Sequence, residues 1–201
     1  MKKIKKIIII GCLVFLLTGC GLFTLANKKE EYLAGKHYVE MSIKDYGKLE
    51  IELDADQAPI TATNFMNLVR SGIYDGIKIH RIHKDFVIQS GMVSGMHDTI
   101  KGEFLANGIE NDITHEKGVI SMARSGGITE GYDSASTQFF IVTNDAAKES
   151  LDNYYAGFGK VTKGLEILDK LNKLKVKADN YGFIANDSDM PIIEYIKEIE
   201  K

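Results

Sequence analysis

Cysteine is scarce. The 201 residues hold two, Cys12 and Cys20, and both precede the part of the chain that has the composition of a folded body. That body therefore has no disulfide and no thiolate metal site. Five histidines are present, without a ligand-like grouping. His80 and His83 lie three apart in a strand-like stretch, which sends them to opposite faces, so no metal site is expected. Runs of like charge long enough to form an interaction tail are missing. So is a basic surface. The formal charge is −3, and Lys2, Lys3, Lys5 and Lys6 would take four positive charges away with residues 1–19, leaving −7. An acidic body argues against a nucleic-acid partner. No internal repeat occurs, and no apolar run reaches the roughly 20 residues of a membrane-spanning helix. What is there is 44% apolar and 26% charged, which excludes wholesale disorder and suits one globular domain with a sizeable core.

The N-terminus reads as an address. A lysine-rich start precedes an apolar run from Ile7 to Leu17, too short to span a bilayer, and small residues follow. Such an order describes an export signal. Its end, Leu17-Thr18-Gly19-Cys20, resembles the lipobox of bacterial lipoproteins. The resemblance implies removal of residues 1–19, lipid attached to the Cys20 sulfur, and residence at the cell membrane on its extracytoplasmic side. More than one acyl chain makes such anchoring stable. Residues 20–36, with the lipidated cysteine at their head, lack sustained alternation and read as a tether. Residues 37–201 form the single domain.

Within that domain, His37 to Asp45 and Lys48 to Leu53 alternate as strands around the turn signal Tyr46-Gly47. Pro59 suits the first turn of a helix whose apolar stripe is Phe65, Leu68 and Val69. From Tyr74 to Gly91 the pattern is strand-like. Ile77, Ile79, Arg81 and His83 are expected on one face, Lys78, His80 and Ile82 on the other, and Phe86-Val87-Ile88 forms a second run ending at Gln89. An arginine and an amide among β-branched and aromatic residues need partners or a substrate. Residues 118–124, 137–143 and 157–161 are further strands, and Gln138 shares a face with Phe140. Leu165, Leu168 and Leu171 mark a second helix. The tail is ambiguous, since Ile192, Ile196 and Ile199 fit a helix while Ile193 and Tyr195 half-fit a strand. Many short strands with two helices predict a mainly β sandwich or barrel.

Taken in order, Ala58-Pro-Ile-Thr-Ala-Thr-Asn-Phe65, Tyr74-Asp-Gly76, His80-Arg81, Phe86-Val-Ile-Gln89, Gly118-Val-Ile-Ser-Met-Ala-Arg124, Ser136-Thr-Gln-Phe-Phe-Ile141, Leu151-Asp152 and Gly157-Phe-Gly-Lys-Val161 resemble the cyclophilin family of peptidyl-prolyl cis-trans isomerases. Each motif alone is weak, and the ordered set is specific. The resemblance covers about residues 38–201. It implies a closed eight-stranded antiparallel barrel capped by two α-helices, with the tail as closing strand. Arg81 matches the catalytic arginine and Gln89 its companion. Phe86, Val87, Met122, Phe140 and Leu151 match the pocket for the proline ring, and Phe86 and Phe140 are grouped with the catalytic pair. Ala123 and Arg124 match the edge that receives substrate backbone, Gln138 is assigned to substrate binding, and Tyr155 stands where many members carry histidine. The turn His83-Lys-Asp85, Ser90, Ser150 in the place of a frequent tryptophan, and a short loop after Gly91 depart from the pattern.

The implied chemistry needs no cofactor. The chain is expected to isomerise X–Pro bonds in exported polypeptides, as a monomer on a lipid anchor. A non-catalytic chaperone or binding module using the same groove is the alternative, and a tethered adhesin a weaker third. The intact Arg81, Phe86, Gln89 and Phe140 set favours catalysis.

Overall fold

The expected hairpin opens the body in the computed structural model, which describes residues 31–126 and 131–201. Strand β1 (Lys36–Ile43) runs antiparallel to β2 (Gly47–Asp54), with Ile43 opposite Gly47. Alternation decides the faces. Val39, Met41 and Ile43 on β1 and Leu49, Ile51 and Leu53 on β2 are all at most 2% exposed, because side chains two apart share one side of a strand. The expected signal, Cys20 and residues 21–30 of the tether lie outside the described residues. Among the described residues no helix is long and apolar enough to cross a membrane.

Helix α1 (Pro59–Arg70) buries Ala62, Phe65, Met66 and Val69. Leu68 is only half-buried, so Met66 takes the inward place predicted for it. The helix start has no local cap, because Ala58 has no side-chain acceptor. Glu103 supplies one from 42 residues away. Its Oε1 accepts from the Ile60 N–H at 3.0 Å and its Oε2 from the Thr61 N–H at 2.7 Å. A carboxylate at a helix N-terminus satisfies orphan donors and complements the helix dipole.

The strand predicted over residues 77–83 is broken. β3 (Ile77–Lys78) pairs with β9 (Ile192–Glu198), whereas β4 (Arg81–His83) pairs with β5 (Val87–Ser90). Ile79 and His80 are buried side by side at the break, 2% and 6% exposed. After it Ile82, not Arg81, joins the core. Ile79 and Arg81 therefore do not share a face, contrary to the alternation.

The remaining strands are β6 (Val119–Met122), β7 (Phe139–Val142) and β8 (Gly157–Lys163). The sheet order is β3-β9-β1-β2-β8-β6-β7-β5-β4. The two outermost strands are neighbours in the chain, so the antiparallel sheet curls back on itself. It has nine strands rather than the expected eight, because of the break at Ile79-His80. Its edge strands β3 and β4 do not pair with each other, so it is a curled sheet rather than the closed barrel expected. Helix α3 (Leu165–Asn172) packs Ile167, Leu168 and Leu171 inward, while Leu165 is exposed. A four-residue α2 (Lys148–Leu151) adds to the two helices predicted.

The tail is a strand, and its helical look has a cause. Ser42 lies opposite Tyr195 but Ile43 opposite Ile193, so Glu194 is an extra residue. A bulge shifts the alternation by one, and the buried Ile193 and Ile196 end up three apart.

Candidate active site

Strands β5, β6 and β7 are buried on both faces. Ile88, Ile120 and Ile141 point into the barrel, while Val87, Val119, Phe140 and Val142 point outward into a second apolar cluster with Ala147 and Leu151. Burial on both faces is why residues 139–142 read as an unbroken apolar run. The outer cluster is the floor of a cleft of about 320 Å³.

Strand register sets a row of side chains across it. Arg81 on β4 lies opposite Gln89 on β5, Gln89 opposite Phe140 on β7, and Phe140 opposite Ser121 on β6. The Arg81 Nη1 donates to Gln89 Oε1 at 2.9 Å, and Gln89 Nε2 donates to Gln138 Oε1 at 3.0 Å. Arg81 Nε donates to the Tyr181 carbonyl at 2.8 Å. The guanidinium is thus gripped at two points. Burial pulls it below the ordinary arginine value, against the pull of Tyr155 and Asp179, and it stays charged at neutral pH.

Of the residues singled out in the sequence, Arg81, Phe86, Val87, Gln89, Ala123, Arg124, Phe140, Leu151 and Tyr155 line this cleft. Gln138 lies behind Gln89 as its hydrogen-bond partner. Met122 does not belong to the wall. It is 1% exposed and packs with Ile120 in the barrel core. Period-two alternation puts Ser121, not Met122, on the outer face, and that corrects its assignment to the proline pocket. Tyr155 stands edge-on to Phe140 at 5.6 Å and 79°, with the Arg124 guanidinium 4.7 Å from its ring centre.

The departures also find their places. Residues 83–86 form a tight turn in which the Phe86 N–H donates to the His83 carbonyl at 3.1 Å and Asp85 takes φ 56°. Asn172 on α3 clasps this turn, accepting from the Asp85 N–H at 2.9 Å and donating to Asp85 Oδ1 at 2.8 Å. The clasp helps aim Phe86 at the cleft. Ser90 faces the interior and donates to the Lys78 carbonyl. Ser150 is exposed, so no ring closes the cleft from that position.

Three contributions were not anticipated. His115 stacks on Phe140 at 6.2 Å and 26°. Its Nδ1 meets Asp152 at 2.8 Å and its Nε2 meets Ser121 at 3.1 Å. The order Ser–His–Asp resembles a nucleophilic triad, but Ser121 is 0% exposed, so it meets no substrate and the set supports Phe140 from behind. Burial pushes the His115 imidazole below its ordinary value, against the pull of Asp152. The other two are Tyr181 and Phe183, which line the cleft beside Arg81. A bridge to β4 at Arg81 brings Phe183 there, the Tyr181 carbonyl bonds to Arg81, and no local pattern marks either ring. Among the described residues no group of three or more metal-ligating side chains forms.

The family described as cyclophilin type peptidyl-prolyl cis-trans isomerase/CLD matches residues 38–193. Over 151 residues the chain is 37% identical to peptidyl-prolyl cis-trans isomerase A of Dickeya dadantii, covering 73% of this chain and 76% of that one. Over 158 residues it is 35% identical to a peptidyl-prolyl cis-trans isomerase of Acinetobacter baylyi, covering 77% and 80%. A cyclophilin type isomerase of Cryptosporidium parvum, crystallised in the presence of the dipeptide ala-pro, shares the fold with a TM-score of 0.66 at 24% identity, covering 82% of this chain and 99% of that one. A nine-stranded curled sheet, an ordered motif set and a matched span of this length agree, and the chain belongs to the family of cyclophilin type peptidyl-prolyl cis-trans isomerases.

Proposed function

We propose that this chain accelerates cis–trans isomerisation of X–Pro bonds in exported polypeptides, at the cleft around Arg81, while held to the outer side of the cell membrane by lipid on Cys20. The observation that carries the reading is the two-point grip on the Arg81 guanidinium beside an apolar floor.

Rotation about a peptide bond is opposed by about 18–20 kcal/mol because the nitrogen lone pair is delocalised. At proline both isomers are populated but exchange in tens to hundreds of seconds. The catalyst makes and breaks no covalent bond; it favours the twisted amide over the planar one. In the twisted state the proline nitrogen is pyramidal and accepts a hydrogen bond. Arg81 carries five N–H donors in a plane. Two are spent on Tyr181 and Gln89, which fixes the plane and leaves the others for the bound amide. Phe86, Phe140, Leu151 and Tyr155 hold the ring, with Val87 beneath. Ala123 and Arg124 border the path of the substrate backbone, and Gln138 keeps the Gln89 amide turned toward Arg81. A thousandfold acceleration needs about 4 kcal/mol, and one charge-assisted hydrogen bond contributes about 1.5–3 kcal/mol. The apolar wall supplies the rest by holding the ring still and lowering the local dielectric.

The test is a prolyl-isomerisation assay on the detergent-solubilised chain, wild type against Arg81→Ala. Activity lost with folding retained supports the enzyme. Equal rates would sink the role of Arg81, and peptide binding without catalysis in either would establish the non-catalytic module. For the anchor, Cys20→Ala should leave the signal unprocessed or release the protein from the membrane fraction. Processing and membrane association that both survive would end the lipoprotein reading.

A further inference from the structure

The turn from Asp179 to Phe183 stands apart from the motif set, yet it closes one end of the cleft. Phe183 pairs with Arg81 as if it were one more strand position. The Ile82 N–H donates to the Gly182 carbonyl at 2.8 Å and the Ile184 N–H to the His80 carbonyl at 3.0 Å. Arg81 and Phe183 are therefore a non-hydrogen-bonded antiparallel pair, the arrangement in which opposite side chains lie closest. The Phe183 ring lies over the guanidinium at 5.3 Å and stacks on His80 at 6.1 Å.

The turn is built to stay put. Asp179 Oδ1 accepts from the N–H groups of both Tyr181 and Phe183, each at 2.9 Å. Gly182 has φ +86°, and a Cβ there would fall 2.5 Å from the Ile82 carbonyl oxygen, so this position admits only glycine. The backbone is committed to presenting its two flanking rings, which remain open to solvent: Tyr181 is 68% and Phe183 42% exposed. Both border the cleft, and Phe183 stands on the far side of Arg81 from Phe140 in the same cross-strand row.

We infer that Tyr181 and Phe183 form a second aromatic subsite that receives an aromatic side chain next to the substrate proline. The inference rests on the isomerase reading of the cleft. The occupant follows from three observations. The subsite is continuous with the proline cleft, so its ligand is part of the same segment. No carboxylate lines the described cleft to favour a basic side chain. Two exposed rings offer faces and edges for stacking, which a planar side chain fills best.

The test uses the detergent-solubilised full chain and proline peptides carrying Phe, Ala or Glu beside the proline, in one set before it and in another after it. Binding is read from peptide shifts in NMR titrations and isomerisation from exchange spectroscopy. Phe should be preferred over Ala by roughly two- to tenfold in one of the two sets, the span expected of one aromatic pair. Tyr181→Ala keeps the carbonyl that holds Arg81 and should collapse the preference toward one, while Phe183→Leu keeps bulk but should reduce it. The ratio is the readout, so a general loss of activity cancels. No preference in the wild type, a preference for Glu, or a Phe preference unchanged in both variants overturns the inference. A binding preference lost in Tyr181→Ala without any isomerisation by the wild type would uphold the subsite and overturn the enzymatic reading instead.

Discussion

Replacing Arg81 by lysine separates the charge from the fork. The positive charge stays, but the planar donor set is lost. Nε and Nη1 hold the Tyr181 carbonyl at 2.8 Å and Gln89 Oε1 at 2.9 Å, and a single terminal ammonium cannot reproduce both bonds and still offer a positioned donor to a third acceptor. The lost transition-state contact is a charge-assisted hydrogen bond of about 1.5–3 kcal/mol. At about 1.36 kcal/mol per tenfold, kcat/KM should fall by roughly 10- to 150-fold. Stability should hardly change, because Arg81 is half-buried at an open cleft where water can reach the two released acceptors. The assay is isomerisation of a proline peptide by exchange spectroscopy, with thermal unfolding of the same samples as the control for folding. A folded Arg81→Lys variant within twofold of wild type would show that charge alone suffices and that the two-point grip has no catalytic part.

Glu103→Ala should destabilise the fold by about 3 kcal/mol or more, since two charge-assisted bonds to the buried start of α1 vanish together. A urea midpoint shifted down at unchanged m-value checks this, and Glu103→Gln, which keeps one acceptor, should fall between. Stability should also fall with mild acid. Burial holds the His115 and His80 imidazoles below their ordinary value of 6.5, so folding favours the neutral rings. That stabilisation is complete above about pH 6.5 and is lost as pH falls toward the folded-state values, because the unfolded chain binds the protons first. Urea titrations at pH 7.5 and 5.5 should show the loss, and His115→Gln should reduce it; an identical pH dependence in that variant would remove His115 as a source.

Much of this molecule is a matter of local period. Alternation at Val39, Met41 and Ile43 and at Leu49, Ile51 and Leu53 gave the first hairpin and its inward face, and Pro59 marked the start of α1. The residue types of the site were legible too, because an arginine and an amide inside apolar strands call for partners. Local reasoning failed where the chain broke its own period. The kink at Ile79-His80 turned Arg81 away from the face of Ile79, and the bulge at Glu194 made a strand count like a helix; the family match alone placed Met122 in a pocket whose outer position belongs to Ser121.

What the amino-acid order determined by itself is the inventory: strands, two helices, and the side chains able to meet a proline amide. The tertiary structure decided which of them meet. Gln89 finds Arg81 and Phe140 through strand register, Glu103 caps a helix 42 residues before it, and Tyr181 reaches the guanidinium from 100 residues away. Such pairings depend on how the strands align across the curled sheet, and register is set by the packing of the whole barrel rather than by the few residues around each position.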